Sequence, residues 1–271
     1  MKRLQPSFAG INLEDIASPK CYEIEQTLKK EMDIPVFHDD QHGTAIAALA
    51  GVIGAFRYVH KDLKTARIVI NGAGAAGASI GRLLVRAGAR NVTMVDRPGI
   101  LYDGMEGLNP VQAELASLTN PSHAHGTLAD AVKGADLLLG VSAPHIFTKE
   151  IIQSMADDAV VFAMANPIPE TDYASAKAAG AKVVGTGRSD APNQINNVMV
   201  FPGIFRGALA VRARSINEDM KLAASYAIAS LVSDDELAED HVIPDAFDKR
   251  VAPAVAAAVA KAAMDLSLIH I

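Results

Sequence analysis

Two acidic pairs and one run of glycines are the places where residue type and spacing point to chemistry. Glu14-Asp15 sits in GINLEDI and Asp39-Asp40 in VFHDDQHGTA. A few carboxylates brought together hold a hard divalent cation such as Mg²⁺ or Mn²⁺ and leave positions open for substrate and water. Glu-Asp pairs are ordinarily solvated surface, but Ile11 and Leu13 precede one pair and Val36 and Phe37 the other. Carboxylates set among core residues call for a cation. His38 and His42 flank the second pair. They suit a transition metal only if all four lie on one helix face, and the helix that follows is expected to begin near Thr44. They are therefore read as hydrogen-bonding neighbours of the carboxylates.

The glycine run is Gly72-Ala73-Gly74-Ala75-Ala76-Gly77, directly after the β-branched stretch Arg67-Ile68-Val69-Ile70-Asn71. In such a GxGxxG turn the first glycine allows the tight bend, the second lets a pyrophosphate approach the backbone, and the third permits close helix-to-strand packing. The free N–H groups opening the next helix, from Ala75 and Ala76 onward, favour an anion. Asp96 follows 24 residues after Gly72 and ends a second strand, where a carboxylate accepts hydrogen bonds from an adenosine ribose. Arg97 beside it pairs equally well with a 2′-phosphate. The site is read as one for NAD or NADP, with the choice left open between these two residues.

These residues need a scaffold, and the hydrophobic pattern supplies one. Strands are expected over 67–71, 91–95, 136–141, 160–165 and 182–185, alternating with helices over 75–87, 110–118, 128–132, 149–155 and 171–179. The alternation implies right-handed crossovers and an α/β, Rossmann-like doubly wound parallel sheet, with flanking N-terminal and C-terminal helices. The first runs to about residue 32 through Tyr22, Ile24 and Leu28, with Ser18-Pro19 as N-cap and first helical residue. The next covers 44–59. Three more follow over 203–211, 216–232 and 251–266, with Ser215 and Glu218 in capping-box spacing. Ligands of such sheets collect at the carboxyl ends of the strands. That rule selects the segments 141–144, 165–167 and 185–188, and from them Ser142 and Asn166 as further cofactor contacts.

Composition excludes several classes. A net charge of −6 without a basic block argues against nucleic acid as partner, and no apolar run is long enough to span a membrane. Cys21 is the single cysteine, so no internal disulfide forms; it is read as a packed core thiol in a reducing, cytoplasmic setting. The last five residues, 267–271, break the soluble pattern before them and receive no role.

PSFAGINLEDI, IPVFHDDQHGTAIAALAGV, the GAGAAG turn, MANPIPE and NQINNVMVFPGIFRGAL occur here in that order, and together they resemble the bacterial malic enzymes up to about Met264. The resemblance implies oxidative decarboxylation of malate to pyruvate and CO₂ with reduction of NAD or NADP. Carried over by position, it puts divalent metal ligands at Glu14, Asp15 and Asp40, and malate-contacting amides at Asn166 and Asn197. It implies three segments: 1–60, remnant of an N-terminal region with the metal-ligand stretch; 61–266, the NAD(P)-binding domain with its C-terminal helices; and the 267–271 tail. The family's catalytic tyrosine and lysine lie upstream of the GINLEDI block, so no catalytic acid or base is assigned and little turnover is expected of the chain alone. A homo-oligomer is expected. The competing readings are a non-catalytic nucleotide-binding module, another nicotinamide-dependent dehydrogenase, or malolactic chemistry.

Overall fold

A computed structural model describes residues 1–266. The tail at 267–271, for which a foreign end was expected, lies outside the described residues. A six-stranded sheet occupies the centre. Its strands are β3 (Arg67–Asn71), β4 (Asn91–Asp96), β5 (Gly99–Ile100), β6 (Leu137–Gly140), β7 (Val160–Ala163) and β8 (Val183–Thr186), in spatial order β5-β4-β3-β6-β7-β8. All neighbours are parallel except β4 and β5, which pair antiparallel through Val95↔Ile100 and Asp96↔Gly99. That hairpin edge adds one antiparallel strand to the expected doubly wound parallel sheet. Its two-residue strand is too short to carry a period-2 signal.

Alternation along each strand divides the core in two. Ile68 and Ile70, Leu137 and Leu139, and Val160 and Phe162 face one buried cluster. Val69, Leu138, Val161 and Ala163 face the other. The first cluster takes in α2 (Thr44–Tyr58), α3 (Ala75–Arg86) and α4 (Pro110–Leu118). The second is covered by α5 (Leu128–Ala131), α6 (Lys149–Gln153) and α7 (Tyr173–Ala178). Ile46 and Leu49 of α2 are wholly buried, and each such side chain contributes roughly 1.5–3 kcal/mol. This anchors the acidic stretch just before α2 to the sheet.

Upstream, β1 (Ile11–Leu13) and β2 (Val36–His38) form a separate parallel pair, joined by α1 (Lys20–Glu31). The register sets Leu13 against His38, and carried one residue further it sets Glu14 beside Asp39. As expected, α2 begins at Thr44, and residues Asp39–Gly43 before it form a single π-turn running straight into it, a geometry frequent at functional sites. The first helix differs from expectation. It begins one residue later, capped by Pro19 rather than Ser18, and buries Cys21 and Glu25 rather than the Tyr22–Ile24 side; Ile24 is exposed.

At the other end, α8 (Gly203–Ala210), α9 (Glu218–Ala229) and α10 (Val251–Asp265) pack as a helical layer. The stripe Val251, Val255, Val259 and Ala263 of α10 is buried at four-residue spacing. It approaches α8 closely because a side chain at Gly203 would press on Val255. Asn217, not Ser215, caps α9, accepting a hydrogen bond from the Met220 N–H (3.0 Å). No helix among the described residues is long and apolar enough to cross a membrane.

Candidate functional site

The chain runs from β3 to β4 on one side of the sheet, then crosses to β6 on the other, so the loops after β3 and β6 diverge. That reversal opens a crevice at the carboxyl ends of the strands. A cleft of about 1120 Å³ lies there, lined by Gly72, Gly74, Asp96, Arg97 and Ser142 among others. Five of the residues assigned from the sequence are thus brought to one cavity.

The glycines occupy three different environments. Gly72 has φ 110°, and a Cβ on it would lie 2.7 Å from the Val141 carbonyl oxygen. A Cβ at Gly77 would collide with the Gly72 carbonyl oxygen, so α3 sits against β3 at glycine distance. Over Gly74 there is nothing within 4 Å, which leaves its backbone open to a ligand. Ala75 and Ala76 open α3, where no side chain caps the first N–H groups. This is the state in which a helix N-terminus receives an anion.

Asp96 ends β4 at the cleft wall. Its Oδ1 accepts from the Arg97 backbone N–H (2.8 Å) and its Oδ2 from the Gln112 side-chain amide (2.8 Å). Gln112 itself lies on α4 and belongs to the capping box with Asn109. The sequence reading did not single it out, since a capping glutamine looks structural. The Arg97 side chain is exposed. Ser142 begins the loop after β6 and accepts a hydrogen bond from the Asn71 side-chain amide (2.7 Å).

Asn166 does not line this cleft. It is exposed after β7, and its side-chain amide lies beside Gly187 in the loop after β8. The Asn196 amide donates to the Gly187 carbonyl (3.4 Å), and the Asn197 amide donates to Asp39 Oδ2 (2.8 Å). The asparagines therefore associate with the acidic segment and the β8 loop rather than with the glycine turn. Asn166 was expected to serve both cofactor and substrate; it lies outside the lining of this cleft, beside Gly187.

Around the acidic segment, the Asp15 backbone N–H donates to Asp40 Oδ2 (2.8 Å) with Asp15 at φ 56°. Asp39 is buried, and its Oδ1 has no partner among the described residues. Burial, then the nearby charges of Glu14 and Asp40, push its carboxyl up to about 6 against the bond from Asn197. Gly43 is required here, because a Cβ on it would run into Asp39 Oδ1. Among the described residues no group of three or more His, Cys, Asp or Glu converges as a metal-holding set. The donors are nonetheless of the right kind for a hard divalent cation: oxygen only, with Glu14 and Asp40 close enough to raise the Asp39 carboxyl, and one buried Asp39 oxygen left over.

This electrostatic crowding has a measurable consequence. In the unfolded chain Asp39 ionises near its ordinary value, about 3.8, and in the folded chain only near 6. Stability is therefore lost as pH rises through that window. Without divalent cation, Asp39→Asn is expected to stabilise the chain by about 1–3 kcal/mol at pH 7.5 and to give no gain below pH 4. Urea melts at the two pH values check this; an equal gain at both would contradict it.

The histidines part company. His38 Nδ1 accepts from the Gln41 N–H (3.4 Å) and lies 4.0 Å from Asp40. His42 turns away from the acidic pair: its Nε2 meets Glu25 Oε1 of α1 (2.7 Å) and its Nδ1 meets Lys221 Nζ of α9 (2.9 Å). The expectation that both histidines hydrogen-bond the neighbouring acids holds for neither: His38 Nδ1 is taken up by the Gln41 N–H and stands too far from Asp40, and His42 pairs with Glu25 and Lys221 instead. Lys221 and Glu25 carried no sequence signal, since a charged residue on a helix reads as solvated face.

Comparison with known proteins gives a consistent neighbourhood. The family model described as malic enzyme, NAD binding domain, matches residues 41–264. The bifunctional malic/malolactic enzyme of Bacillus subtilis is 57% identical over 272 residues, covering 100% of this chain and 66% of that protein. The NAD-dependent malic enzyme of Geobacillus stearothermophilus is 53% identical, covering 97% of this chain and 55% of the relative. The crystal structure of malic enzyme from Pyrococcus horikoshii superposes with a TM-score of 0.94 at 45% identity, over 99% of this chain and 64% of that one. The chain thus spans between half and two thirds of the length of these proteins.

Proposed function

The chain belongs to the malic enzyme family, whose NAD-binding portion it carries, and from that premise we propose that it serves the metal-dependent oxidative decarboxylation of malate to pyruvate and CO₂, with NAD or NADP as hydride acceptor. The observation that carries this reading is the open backbone over Gly74, set between a turn only glycine can make at Gly72 and a helix held at glycine distance by Gly77. In this reading the pyrophosphate rests on the N–H groups of Ala75, Ala76 and Gly77. The ribose lies toward Asp96 and Arg97, and Ser142 borders the far half of the cofactor.

Asn166 and Asn197 would hold the carboxylate and developing enolate of the substrate with neutral amides, adding no negative charge beside Asp39. Glu14, Asp15 and Asp40 would hold Mg²⁺ or Mn²⁺, which when bound polarises the substrate oxygens and offsets enolate charge. The protein is read as a cytoplasmic homo-oligomer, in line with the exposed apolar Tyr226 and Met264 of the last two helices.

Titration calorimetry with NAD and NADP, each with and without Mn²⁺ and malate, tests the site. One cofactor is expected to bind, at least tenfold more tightly with metal and malate present, and Asp40→Ala is expected to abolish that strengthening while leaving binary cofactor binding intact. A folded chain that binds neither cofactor, or binds one indifferently to metal and malate, would refute the proposal. The bifunctional relative favours one second reading, malolactic chemistry. Lactate formed without net reduction of cofactor would select it over pyruvate formed with stoichiometric NADH or NADPH.

A further inference from the structure

Glu170 lies four residues past Asn166 in the loop after β7, and it is 0% exposed. Its two carboxylate oxygens face different loops. Oε1 accepts from the Ser142 backbone N–H (2.7 Å) and from the Ser142 hydroxyl (3.2 Å), while Oε2 accepts from the Ala165 backbone N–H (3.0 Å). The sheet makes room for it: a Cβ on Gly140, the last residue of β6, would lie 2.6 Å from Glu170 Oε1. Ser142 is tied in turn to the end of β3 by the Asn71 amide (2.7 Å).

Backbone N–H groups only donate, so this arrangement needs an acceptor at both ends of one side chain. A carboxylate provides that and a carboxamide does not, because its NH₂ would face one of the two N–H groups. We propose that Glu170 is a positioning residue: its buried carboxylate fixes the loop that carries Ser142 relative to the loop that carries Asn166, so that one group sets the spacing of cofactor and substrate contacts. The functional half of this inference rests on reading the cleft as a dinucleotide site. The clamp itself rests only on the hydrogen bonds. Holding both loops in their ligand-ready positions before binding is the kind of support that binding groups require.

Glu170→Gln tests it on the chain as it stands, with Val161→Ala, a truncation in the buried face of β7, as a destabilised control that leaves the clamp in place. Hydrogen–deuterium exchange at the Ser142 and Ala165 amides is expected to rise at least tenfold in Glu170→Gln, and affinity for whichever of NAD or NADP binds is expected to fall at least tenfold. Val161→Ala should leave cofactor affinity within about twofold of wild type even with a comparable drop in melting temperature. Should Glu170→Gln fail to fold, Glu170→Asp, a carboxylate one methylene too short to reach both loops, is expected to give the same two changes. Unchanged exchange at both amides overturns the clamp. Faster exchange with unchanged cofactor affinity overturns its positioning role. A wild-type chain that binds neither cofactor refutes the dinucleotide reading, and the exchange data then decide the clamp alone.

Discussion

Gly77→Val is expected to abolish cofactor binding and to destabilise the chain by about 3 kcal/mol. The site allows no side chain: the added Cβ would meet the Gly72 carbonyl oxygen, which is backbone and cannot swing aside, and Val141 Cγ2 at 3.1 Å. The strain has to be relieved by moving α3 away from β3, which withdraws the N–H groups of Ala75 and Ala76 from the cleft. Gly74→Ala is the complementary case. Gly74 has an ordinary φ of −80° and open space around it, so alanine there should leave the melting temperature unchanged while its methyl group intrudes where a pyrophosphate must approach. The pair separates fold from ligand. Loss of binding in Gly77→Val with full binding in Gly74→Ala would mean that the turn shapes the cleft but does not touch the phosphates; native affinity in both would remove the glycine turn from the site.

The same contrast explains how much was legible in the sequence. The turn between β3 and α3, the strands around it and the place of Asp96 at the end of β4 were legible because each signal is local: a β-branched run, three glycines at fixed spacing, an acid at the end of the next strand. Strand alternation then gave the α/β class and the gathering of Ser142 at the crevice. What escaped was set by partners remote in sequence. Glu25 reads as the solvated side of α1, yet it is drawn inside by Lys29, Gln41 and His42, and the helix buries the Cys21–Glu25 side in consequence. Glu170 in a proline-flanked loop looks like surface until β6 and β7 bring two amide groups to it. Asn166 follows a strand, as the rule for such sheets requires, but the rule does not say how far a residue stands from the crevice; Asn166 lies beside Gly187 in the loop after β8 rather than in the cleft lining. The two acidic pairs meet through the Asp15 N–H and Asp40. Their register depends on the β1–β2 pairing, which two three-residue strands are too short to announce.

Lys221→Met is expected to cost about 3 kcal/mol of stability at pH 7.5, more than any exposed ion pair here would. Lys221 is 2% exposed and donates to Glu218 Oε1 (2.7 Å) as well as to His42 Nδ1 (2.9 Å). Burial pushes its ammonium down from the usual lysine range, with Glu218 opposing. An ammonium only donates, so His42 accepts at Nδ1 and presents Nε2–H to Glu25. Burial, then the Lys221 charge, hold the imidazole down to about 4, so it is neutral at physiological pH. Burial pushes Glu25 up, but the hydrogen bond from His42 and the charge of Lys29 outweigh it and keep the carboxyl below its usual range. Methionine fills the lysine's volume but leaves Nδ1 without a donor. It also removes the charge that resisted protonation, so the folded-state His42 of the variant takes up a proton nearer its ordinary value of 6.5. Between about pH 6.5 and 4 the folded variant therefore binds more protons than the folded wild type, and its stability relative to wild type rises as pH falls through that window. The stability gap measured by urea denaturation should be largest at pH 7.5 and clearly smaller at pH 5, where imidazolium pairs with Glu25. The raised carboxyl of Asp39 is common to both proteins and cancels in the difference. A gap that stays constant or widens at pH 5 would show that Lys221 does not govern His42. Because His42 belongs to the π-turn that also carries Asp39 and Asp40, a narrowing gap would further show that the hydrogen-bonded run from buried Lys221 of α9 through His42 to buried Glu25 of α1 is coupled electrostatically to the element that carries the acidic segment.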